Sequence, residues 1–133
     1  MSNLVATSAK MEIIKRLFAA LESGPDDPTK ASDEYVTFLT EDAQFLLGNP
    51  APMVGRQAIR DSLVAFCRQV KGIYHDIKQK WELEENVVIL DMEVTYYRLD
   101  GTAVTLPVMD YFRFKGDLIQ ELRIFMDVNP VFA

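Results

Sequence analysis

The fold is decided in residues 87–128, which read VVILDMEVTYYRLDGTAVTLPVMDYFRFKGDLIQELRIFMDV. Apolar and polar residues alternate along this stretch, and the turn-forming triplets LDG and KGD interrupt the alternation. Residues 72–83, GIYHDIKQKWEL, alternate in the same way and are separated from the stretch by EEN. Since short turns of this kind join antiparallel strands, we predict four strands in an antiparallel meander.

Three helical patterns precede these strands. Apolar residues recur at helical spacing in residues 8–24 and again in residues 56–70. Between them we expect a short helix capped by Ser32 or Asp33 and a brief strand over residues 43–47. Helices that precede an antiparallel sheet are typical of the α+β class, so we predict three N-terminal helices packed on a strongly curved, mostly antiparallel sheet.

The composition bounds the class of protein. With 133 residues, 49% of them hydrophobic, the chain is long enough for one domain with its own core. Its 14 basic and 20 acidic residues give a net charge of −6, and no basic run occurs, so we expect no nucleic acid partner. A single cysteine, Cys67, excludes an internal disulfide framework and suits a reducing compartment.

The sequence predicts no cofactor, no metal site and no membrane segment. Glycine-rich nucleotide motifs and nucleophile elbows are missing, so we expect no cofactor. The chain holds one imidazole, His75, whereas strong metal sites need several nitrogen or sulfur donors. The first ten residues, MSNLVATSAK, do not resemble a secretory signal, and no apolar run of about 18 residues occurs, which predicts a cytoplasmic protein that does not enter a membrane.

Strand alternation predicts which side chains face the helices. In the last three strands the inward residues are Val88, Leu90, Met92, Val94 and Tyr96, then Val108, Asp110, Phe112 and Phe114, then Leu118, Gln120, Leu122, Ile124 and Met126. The outward residues of the last strand are Ile119, Glu121, Arg123, Phe125 and Asp127. In the first long strand, His75 lies inward with Ile73 and Ile77. Two ionisable groups, His75 and Asp110, therefore face the helices among apolar side chains.

Three segments together resemble the nuclear transport factor 2-like superfamily. They are KRLFAALESG (residues 15–24), VGRQAIRDSL (54–63) and LPVMDYFRFKGDLIQELRIF (106–125). Over residues 8–130 the sequence is similar to SnoaL-like polyketide cyclases and ketosteroid isomerases. This resemblance implies a single SnoaL-like domain over residues 1–133, a cone of curved sheet closed by helices (a cystatin-like α+β barrel), a pocket inside it, and a homodimer formed through the outer sheet face.

The resemblance carries over only part of the ketosteroid isomerase site. The aspartic acid of the isomerase D-H-F-R-F run corresponds to Asp110 in DYFRF. The isomerase tyrosine on the first helix falls on Leu17, and its general-base aspartate falls on Leu47. Without a base at that position the isomerase mechanism is not expected. The Arg-x-Asp motif of limonene epoxide hydrolases is not reproduced by DME at 91–93, whereas GIYHDI and RIFMD look like SnoaL-like segments.

His75 and Asp110 are the candidate catalytic residues. A carboxyl group buried among apolar side chains has a raised pKa unless a partner compensates for the lost hydration. Either a neutral Asp110 donates a hydrogen bond to a substrate oxygen, as in ketosteroid isomerases, or an ionised Asp110 orients a protonatable His75 as an acid/base dyad. Structural roles also stay open: His75 could be a core histidine bonded to a backbone carbonyl, and Asp110 a carboxylate accepting from Tyr96 or a backbone N–H.

The residues expected to contact a ligand lie on the inward strand faces or on the first helical stripe. They are Phe18, Leu47, Trp81, Met92, Val94, Tyr96, Phe112, Leu122, Ile124 and Met126. Trp81 is included because it shares the odd-numbered parity of His75, and Tyr96 because its hydroxyl can donate a hydrogen bond. Asp127 faces outward by parity, but a β-bulge near DVNP would turn it inward, so it is a further candidate.

Two functions remain open on the sequence. The first is a small-molecule-binding enzyme that isomerises, cyclises or dehydrates a small apolar carbonyl or hydroxyl compound by general acid/base chemistry, without a cofactor. The second is a non-catalytic ligand-binding or dimerisation module that uses the same fold. The missing isomerase base at Leu47 favours the second function, whereas the inward pair of polar residues favours the first.

Overall fold

The computed structural model describes residues 8–133. Its helices are α1 (Ala9–Glu22), α2 (Pro28–Val36) and α3 (Arg56–Cys67). Its strands are β1 (Leu39–Leu47), β2 (Met53–Val54), β3 (Val70–Leu83), β4 (Val87–Arg98), β5 (Ala103–Lys115) and β6 (Leu118–Phe125), followed by a short C-terminal turn of 3-10 helix, Asn129–Phe132. Residues 1–7, which the domain boundaries and the signal-segment prediction include, lie outside the described residues.

The strands form one six-stranded sheet in the order β2-β1-β6-β5-β4-β3. Strands β3 to β6 pair with their sequence neighbours in antiparallel fashion, so the predicted meander is confirmed. Strand β1 is longer than predicted and pairs in parallel with β6, which extends the sheet beyond the meander. The predicted α+β class, with three helices on a curved and mostly antiparallel sheet, is confirmed.

Helix α2 begins earlier than the sequence pattern indicated. Its N-cap is Asp27, whose side chain accepts a hydrogen bond from the backbone N–H of Lys30 at 3.3 Å. Pro28 takes the first helical position, where its missing N–H costs nothing. The predicted cap at Ser32 or Asp33 is therefore wrong, because the D-P pair that reads as a loop is itself the start of the helix.

The helices cover one face of the sheet and enclose a core of apolar side chains. The most deeply buried members are Met11, Ile14, Leu17, Tyr35, Ile59, Leu90, Met92 and Phe112. The end of α1 lies against the end of α3, where Gly24 contacts Cys67. A Cβ atom on residue 24 would overlap the Sγ of Cys67, so glycine is needed for this close approach.

Two register shifts correct the predicted strand faces. In β6 the shift between Arg113 and Phe114 on the partner strand leaves Gln120 without an opposite residue and pairs Phe114 with Ile119. Because an extra residue reverses the alternation, Ile119 is fully buried, although the sequence predicted it outward. Gln120 was predicted inward, but its amide oxygen instead accepts a hydrogen bond from Arg113. A second shift, in β3 between Ile77 and Gln79, affects the candidate site.

No helix within residues 8–133 is both long enough and apolar enough to span a membrane.

Candidate functional site

A cavity of about 350 Å³ lies between the helices and the covered face of the sheet. Most of the side chains that line it are apolar or aromatic, and its ionisable groups are His75, Asp110, Tyr35 and Tyr96. Both candidate catalytic residues therefore border the same space. Of the residues predicted to contact a ligand, those that line the cavity are Phe18, Leu47, Met92, Val94, Tyr96 and Ile124.

Asp110 lies at the floor of this cavity. In the sheet it stands between Leu90 and Ile124, and the next row of paired residues is Val88, Phe112 and Leu122. That next row is almost completely buried, so packed side chains fill the space below Asp110. Phe112 and Leu122 face inward as predicted, but they belong to this filled layer and do not line the cavity.

The mouth of the cavity lies between α3 and the C-terminal turn. Ala65 on α3, Gln69 just after α3 and Phe132 in the turn line the cavity and are exposed to solvent. The ring of Phe66 contacts those of Tyr96 and Phe132 edge-on, each with centroids 5.9 Å apart. The guanidinium of Arg98 donates to the carbonyl oxygens of Pro130 and Val131, at 2.6 and 3.2 Å, and so holds the turn beside the opening.

The carboxyl group of Asp110 is buried and lacks a hydrogen-bond partner at Oδ1. Burial raises the pKa of Asp110 to about 8, because little water remains to solvate the charged form. The group is therefore mostly protonated at neutral pH. The predicted bond from Tyr96 is not formed, since the Tyr96 hydroxyl donates to the sulfur of Met126 at 3.4 Å.

Two tyrosines lie close enough to Asp110 for its charge to affect their pKa values. The pKa of Tyr35 is raised above its usual value, first by burial and then by repulsion from the Asp110 carboxylate. The same two causes, in the same order, raise the pKa of Tyr96. Asp110, Tyr35 and Tyr96 thus form a cluster of groups that are all neutral at neutral pH, inside an otherwise apolar cavity.

His75 bonds to Glu22 rather than to Asp110. The Oε2 atom of Glu22 lies 2.9 Å from Nδ1 of the His75 ring and 2.8 Å from its backbone nitrogen, which donates to it. The ring stacks on Phe18, with centroids 4.1 Å apart and planes 3° from parallel. Among residues 8–133 neither an ion pair nor a hydrogen bond joins His75 to Asp110, so the predicted dyad is not formed. The alternative of a backbone carbonyl partner for the ring is also not found.

Glu22 is the site residue that sequence reasoning missed. Burial acts to raise the pKa of Glu22, but the hydrogen bonds from the ring and the backbone N–H of His75 outweigh it and lower the pKa. Two features of the sequence indicated a tertiary partner for Glu22. Glu22 follows Phe18 by four residues on one helix face, and it stands in the last turn of α1, where the helix dipole disfavours a carboxylate unless a tertiary partner compensates.

Trp81 lies outside the cavity, which corrects the prediction that it contacts a ligand. The shift in β3 after Ile77 pairs Trp81 with Ile89 and Lys80 with Leu90. The parity shared with His75 is therefore lost before residue 81, and the indole is 41% exposed.

Met126 and Asp127 border a neighbouring hollow rather than the cavity. This hollow has a volume of about 660 Å³ and is also lined by the loop around Pro50. Asp127 is exposed, and its Oδ1 accepts a hydrogen bond from the backbone N–H of Asn129 at 3.0 Å. Met126 was predicted to contact a ligand in the cone, but it lies just beyond the end of β6, where it packs against the core and its sulfur accepts the hydrogen bond from Tyr96 without lining the cavity.

Residues 8–133 contain no cluster of three or more His, Cys, Asp or Glu side chains able to hold a metal ion.

The family resemblance predicted from sequence motifs is confirmed by comparison with known proteins. The family model described as a SnoaL-like domain matches residues 14–122. A search of curated proteins found no match to the sequence.

Solved structures match over nearly the whole chain, at low sequence identity. TerC co-crystallised with polyporic acid is 14% identical, with a TM-score of 0.75, and the match covers 94% of this chain and 96% of TerC. A nuclear transport factor 2-like protein from Exiguobacterium sp. 255-15 is 20% identical, with a TM-score of 0.74 over 86% of this chain and 98% of its own. A protein with a ketosteroid isomerase-like fold from Catenulispora acidiphila DSM 44928, in complex with trimethylamine, is 14% identical, with a TM-score of 0.71 over 86% and 88%. At these identities the likeness concerns the fold alone.

Proposed function

Because the chain belongs to the SnoaL-like domain family, we propose that its cavity binds a small, largely apolar carbonyl or hydroxyl compound and acts on it by cofactor-free general acid/base chemistry. The reaction class is isomerisation, cyclisation or dehydration. The observation that carries the proposal is Asp110, a buried carboxyl group whose Oδ1 has no partner, at the floor of a cavity of about 350 Å³ that His75 also lines.

Asp110 is the hydrogen-bond donor in this mechanism. With its pKa raised to about 8 by burial, it is protonated at neutral pH and offers an O–H to an oxygen atom of the bound compound. Negative charge that develops on that oxygen in the transition state is then stabilised in a dry site, where hydrogen bonds are strongest.

His75 is the proton acceptor. It takes a proton from the carbon next to the carbonyl or hydroxyl-bearing carbon, and Glu22 at 2.9 Å stabilises the imidazolium that results. In an isomerisation the same proton returns to a different carbon. In a dehydration the C–O bond breaks, and the hydroxyl leaves as water after taking the proton of Asp110. In the dehydration, the proton held by His75 then passes through water to the Asp110 carboxylate as the product leaves. Both residues thus return to their starting states, and neither route needs a cofactor.

The charges around the cavity favour an uncharged ligand. None of the described residues that line the cavity is Lys or Arg, so no cation is placed there to bind an anion, and the Glu22 carboxylate nearby and a net charge of −6 oppose one. Two structural relatives were solved with polyporic acid and with trimethylamine. The first is an acid and the second is a base that is protonated at neutral pH, so these compounds serve as charged comparisons for the uncharged candidates.

Ligand binding is tested by thermal unfolding in the presence of a panel of uncharged carbonyl and hydroxyl compounds, with polyporic acid and trimethylamine as charged comparison compounds. A compound that binds only the folded protein raises its Tm. We expect such compounds to raise the Tm of the wild type but not that of Asp110→Leu, which removes the donor. Asp127→Asn, outside the cavity, is the matched control and should respond as the wild type does. No shift from any compound would contradict the proposal.

A second candidate, a non-catalytic binding or dimerisation module, is favoured by the outer face of the sheet. That face exposes Tyr74, Tyr97, Met109 and Phe125, each more than two-fifths accessible, and Met109 and Phe125 stand opposite each other on β5 and β6. Exposed apolar patches of this kind suit a homodimer. Sedimentation should then give a dimer mass for the wild type and a monomer mass for Met109→Lys. If the wild type is a monomer at high concentration, the dimer proposal fails.

We also propose a cytoplasmic location for the protein, which the chemistry of its one thiol suits. Cys67 is buried, and burial raises its pKa to about 11, so it remains an unreactive thiol.

A further inference from the structure

We infer that Glu22 is a positioning residue for His75: it holds the neutral ring in the Nδ1–H tautomer and thereby leaves Nε2 as the nitrogen that exchanges a proton with a molecule in the cavity. The first part of the inference concerns only groups of this chain. The second part rests on the proposed function, because it names what Nε2 meets.

The tautomer follows from the chemistry of a carboxylate. An ionised carboxylate can only accept hydrogen bonds, and the lowered pKa of Glu22 keeps it ionised at neutral pH. Its Oε2 atom already accepts the backbone N–H of His75 at 2.8 Å and lies 2.9 Å from Nδ1. Nδ1 must therefore carry the proton in this contact. A neutral imidazole has only one N–H, so Nε2 is left with its lone pair.

The orientation of the ring is held by two residues on one helix face. Phe18 and Glu22 are four residues apart on α1, so their side chains point to the same side of the helix. Phe18 stacks on the face of the imidazole at 4.1 Å, while Glu22 bonds to its edge. A flip of the ring would exchange Nδ1 for a carbon atom at Glu22 and leave the carboxylate without its second donor.

The ring stands in a wall between two spaces. His75 and Phe18 line the cavity, and they also line a groove of about 310 Å³ between α1 and β3. Glu22 lines the groove but not the cavity, and its side chain is 31% exposed, compared with 8% for that of His75. The Nδ1 edge of the ring thus meets the groove, and Nε2 is the nitrogen left for the cavity.

Other titratable groups surround this pair on both sides. Lys15, Tyr74 and Asp76 line the groove with Glu22, and Asp110, Tyr35 and Tyr96 line the cavity. Of these groups, Glu22 is the one that the structure places in an ion pair with the ring. When Nε2 takes up a proton, the new positive charge is therefore matched by the carboxylate at 2.9 Å on the opposite side of the wall.

The experiment uses the single histidine of the chain, since one imidazole gives one set of ring resonances. The histidine ring is labelled with ¹⁵N, and spectra are recorded at a pH where the ring is neutral. The chemical shifts of the two ring nitrogens then identify which nitrogen carries the proton. We expect the wild type to show Nδ1–H as the major tautomer. Glu22→Ala should lose that majority and show Nε2–H instead. Glu22→Gln should retain the Nδ1–H majority, because its amide oxygen can still accept both bonds.

Glu12→Gln is the matched control, because Glu12 is an exposed carboxylate on the first turn of the same helix. It should leave the tautomer unchanged. A wild type with Nε2–H as its major tautomer would overturn the inference, and so would Glu22→Ala with its tautomer unaltered and its circular dichroism spectrum still native. A merely structural role for Glu22 would not predict rescue by Gln in the nitrogen shifts.

The same labelled protein separates this inference from the proposed function. Adding a compound that raises the Tm should shift the Nε2 resonance more than the Nδ1 resonance. If the tautomer is Nδ1–H but no compound raises the Tm, the proposed function fails and the positioning role stands. If a compound raises the Tm and perturbs Nδ1 rather than Nε2, the proposed function stands and the assignment of Nε2 fails.

Discussion

Asp110 at the floor of the cavity and Glu22 in the groove both carry a carboxyl group, and the two groups behave in opposite ways. Asp110 at the floor is buried, has an oxygen without a partner, and has a pKa raised to about 8 by burial. Glu22 in the groove is partly exposed and accepts two hydrogen bonds from His75, and its pKa is lowered. Hydrogen-bond partners and water, rather than residue type, therefore decide which carboxyl group keeps its proton at neutral pH and which is ionised.

The largest expected effect comes from the pH dependence of Asp110. Its pKa is about 8 in the folded protein and 3.8 ordinarily, so between these values the folded state binds a proton that the unfolded state does not. Stability must therefore fall as pH rises from about 4 to 8. Asp110→Asn, which cannot ionise, should lack this loss. Relative to the wild type, we expect Asp110→Asn to gain about 4 kcal/mol in the free energy of unfolding between pH 5 and pH 9, measured by urea unfolding.

The contrast between Asp110 and Glu22 would be contradicted if the wild type and Asp110→Asn lost the same stability between pH 5 and pH 9. A wild type that loses no more stability than Asp110→Asn between pH 5 and pH 9 would show that Asp110 is solvated or paired in solution. The proposed donor role at neutral pH would then be lost as well.

The next effect concerns Phe18, the side chain that separates the two regions. Phe18 is 5% exposed and contacts both His75 and Phe112. Phe18→Ala should lower the free energy of unfolding by about 3–5 kcal/mol, as expected for removal of a buried ring. It should also admit water from the groove towards Asp110, so the pH-dependent loss of stability in the variant should be smaller than in the wild type.

Urea unfolding of Phe18→Ala at pH 5 and pH 9 measures both quantities. Phe18→Leu is the matched control, since it keeps an apolar side chain in the wall and should retain most of the pH dependence. If Phe18→Ala kept the full pH dependence, the ring would not be what shields Asp110 from the groove.

The smallest effect concerns Glu22, and it has the opposite sign with pH. The pKa of Glu22 is lowered, so its contribution to stability is present above its ordinary pKa and is lost as pH falls through the lowered value. Because the side chain is partly exposed, Glu22→Gln should cost only about 1 kcal/mol at pH 7. The cost should diminish as pH falls below the ordinary pKa of 4.5, because the unfolded state and then the folded state take up the proton.

Chemical unfolding at pH 7 and pH 3 gives this difference, with Glu12→Gln as the exposed control on the same helix. A cost for Glu22→Gln that is equal at both pH values would mean that the charge of Glu22 contributes nothing. The contrast with Asp110 would then rest on Asp110 alone.

Strand parity predicted the faces of the sheet wherever the pairing is regular. Strands β4 and β5 pair without a shift, and every residue predicted inward from Val88 to Tyr96 is buried. Asp110 was found in the same way, as the one carboxyl group in an apolar alternation. Parity failed beyond the shifts in β3 and β6, at Trp81 and Ile119. An inserted residue cannot be recognised from the alternation where consecutive residues are both apolar, as Leu118 and Ile119 are.

The partner of His75 could not be predicted from one sequence. Glu22 and His75 are 53 residues apart, and their contact depends on how α1 is rotated against β3. A helix stripe as broad as that of α1 allows several rotations that all bury apolar residues. The acidic residue at the end of α1 indicated that some tertiary partner exists, but not which one.

The sequence by itself determined the α+β class, the antiparallel meander, the SnoaL-like family and the presence of one carboxyl group on the covered face of the sheet. These features depend on local periodicity and on the order of motifs along the chain, which a sequence records directly. The tertiary structure alone decided that Glu22 rather than Asp110 bonds to His75, that Trp81 faces solvent, and that Asp110 keeps a proton. Packing sets the distances between segments that are far apart in the chain, and it sets how much water remains around each group. The residue pattern of a single segment contains neither kind of information.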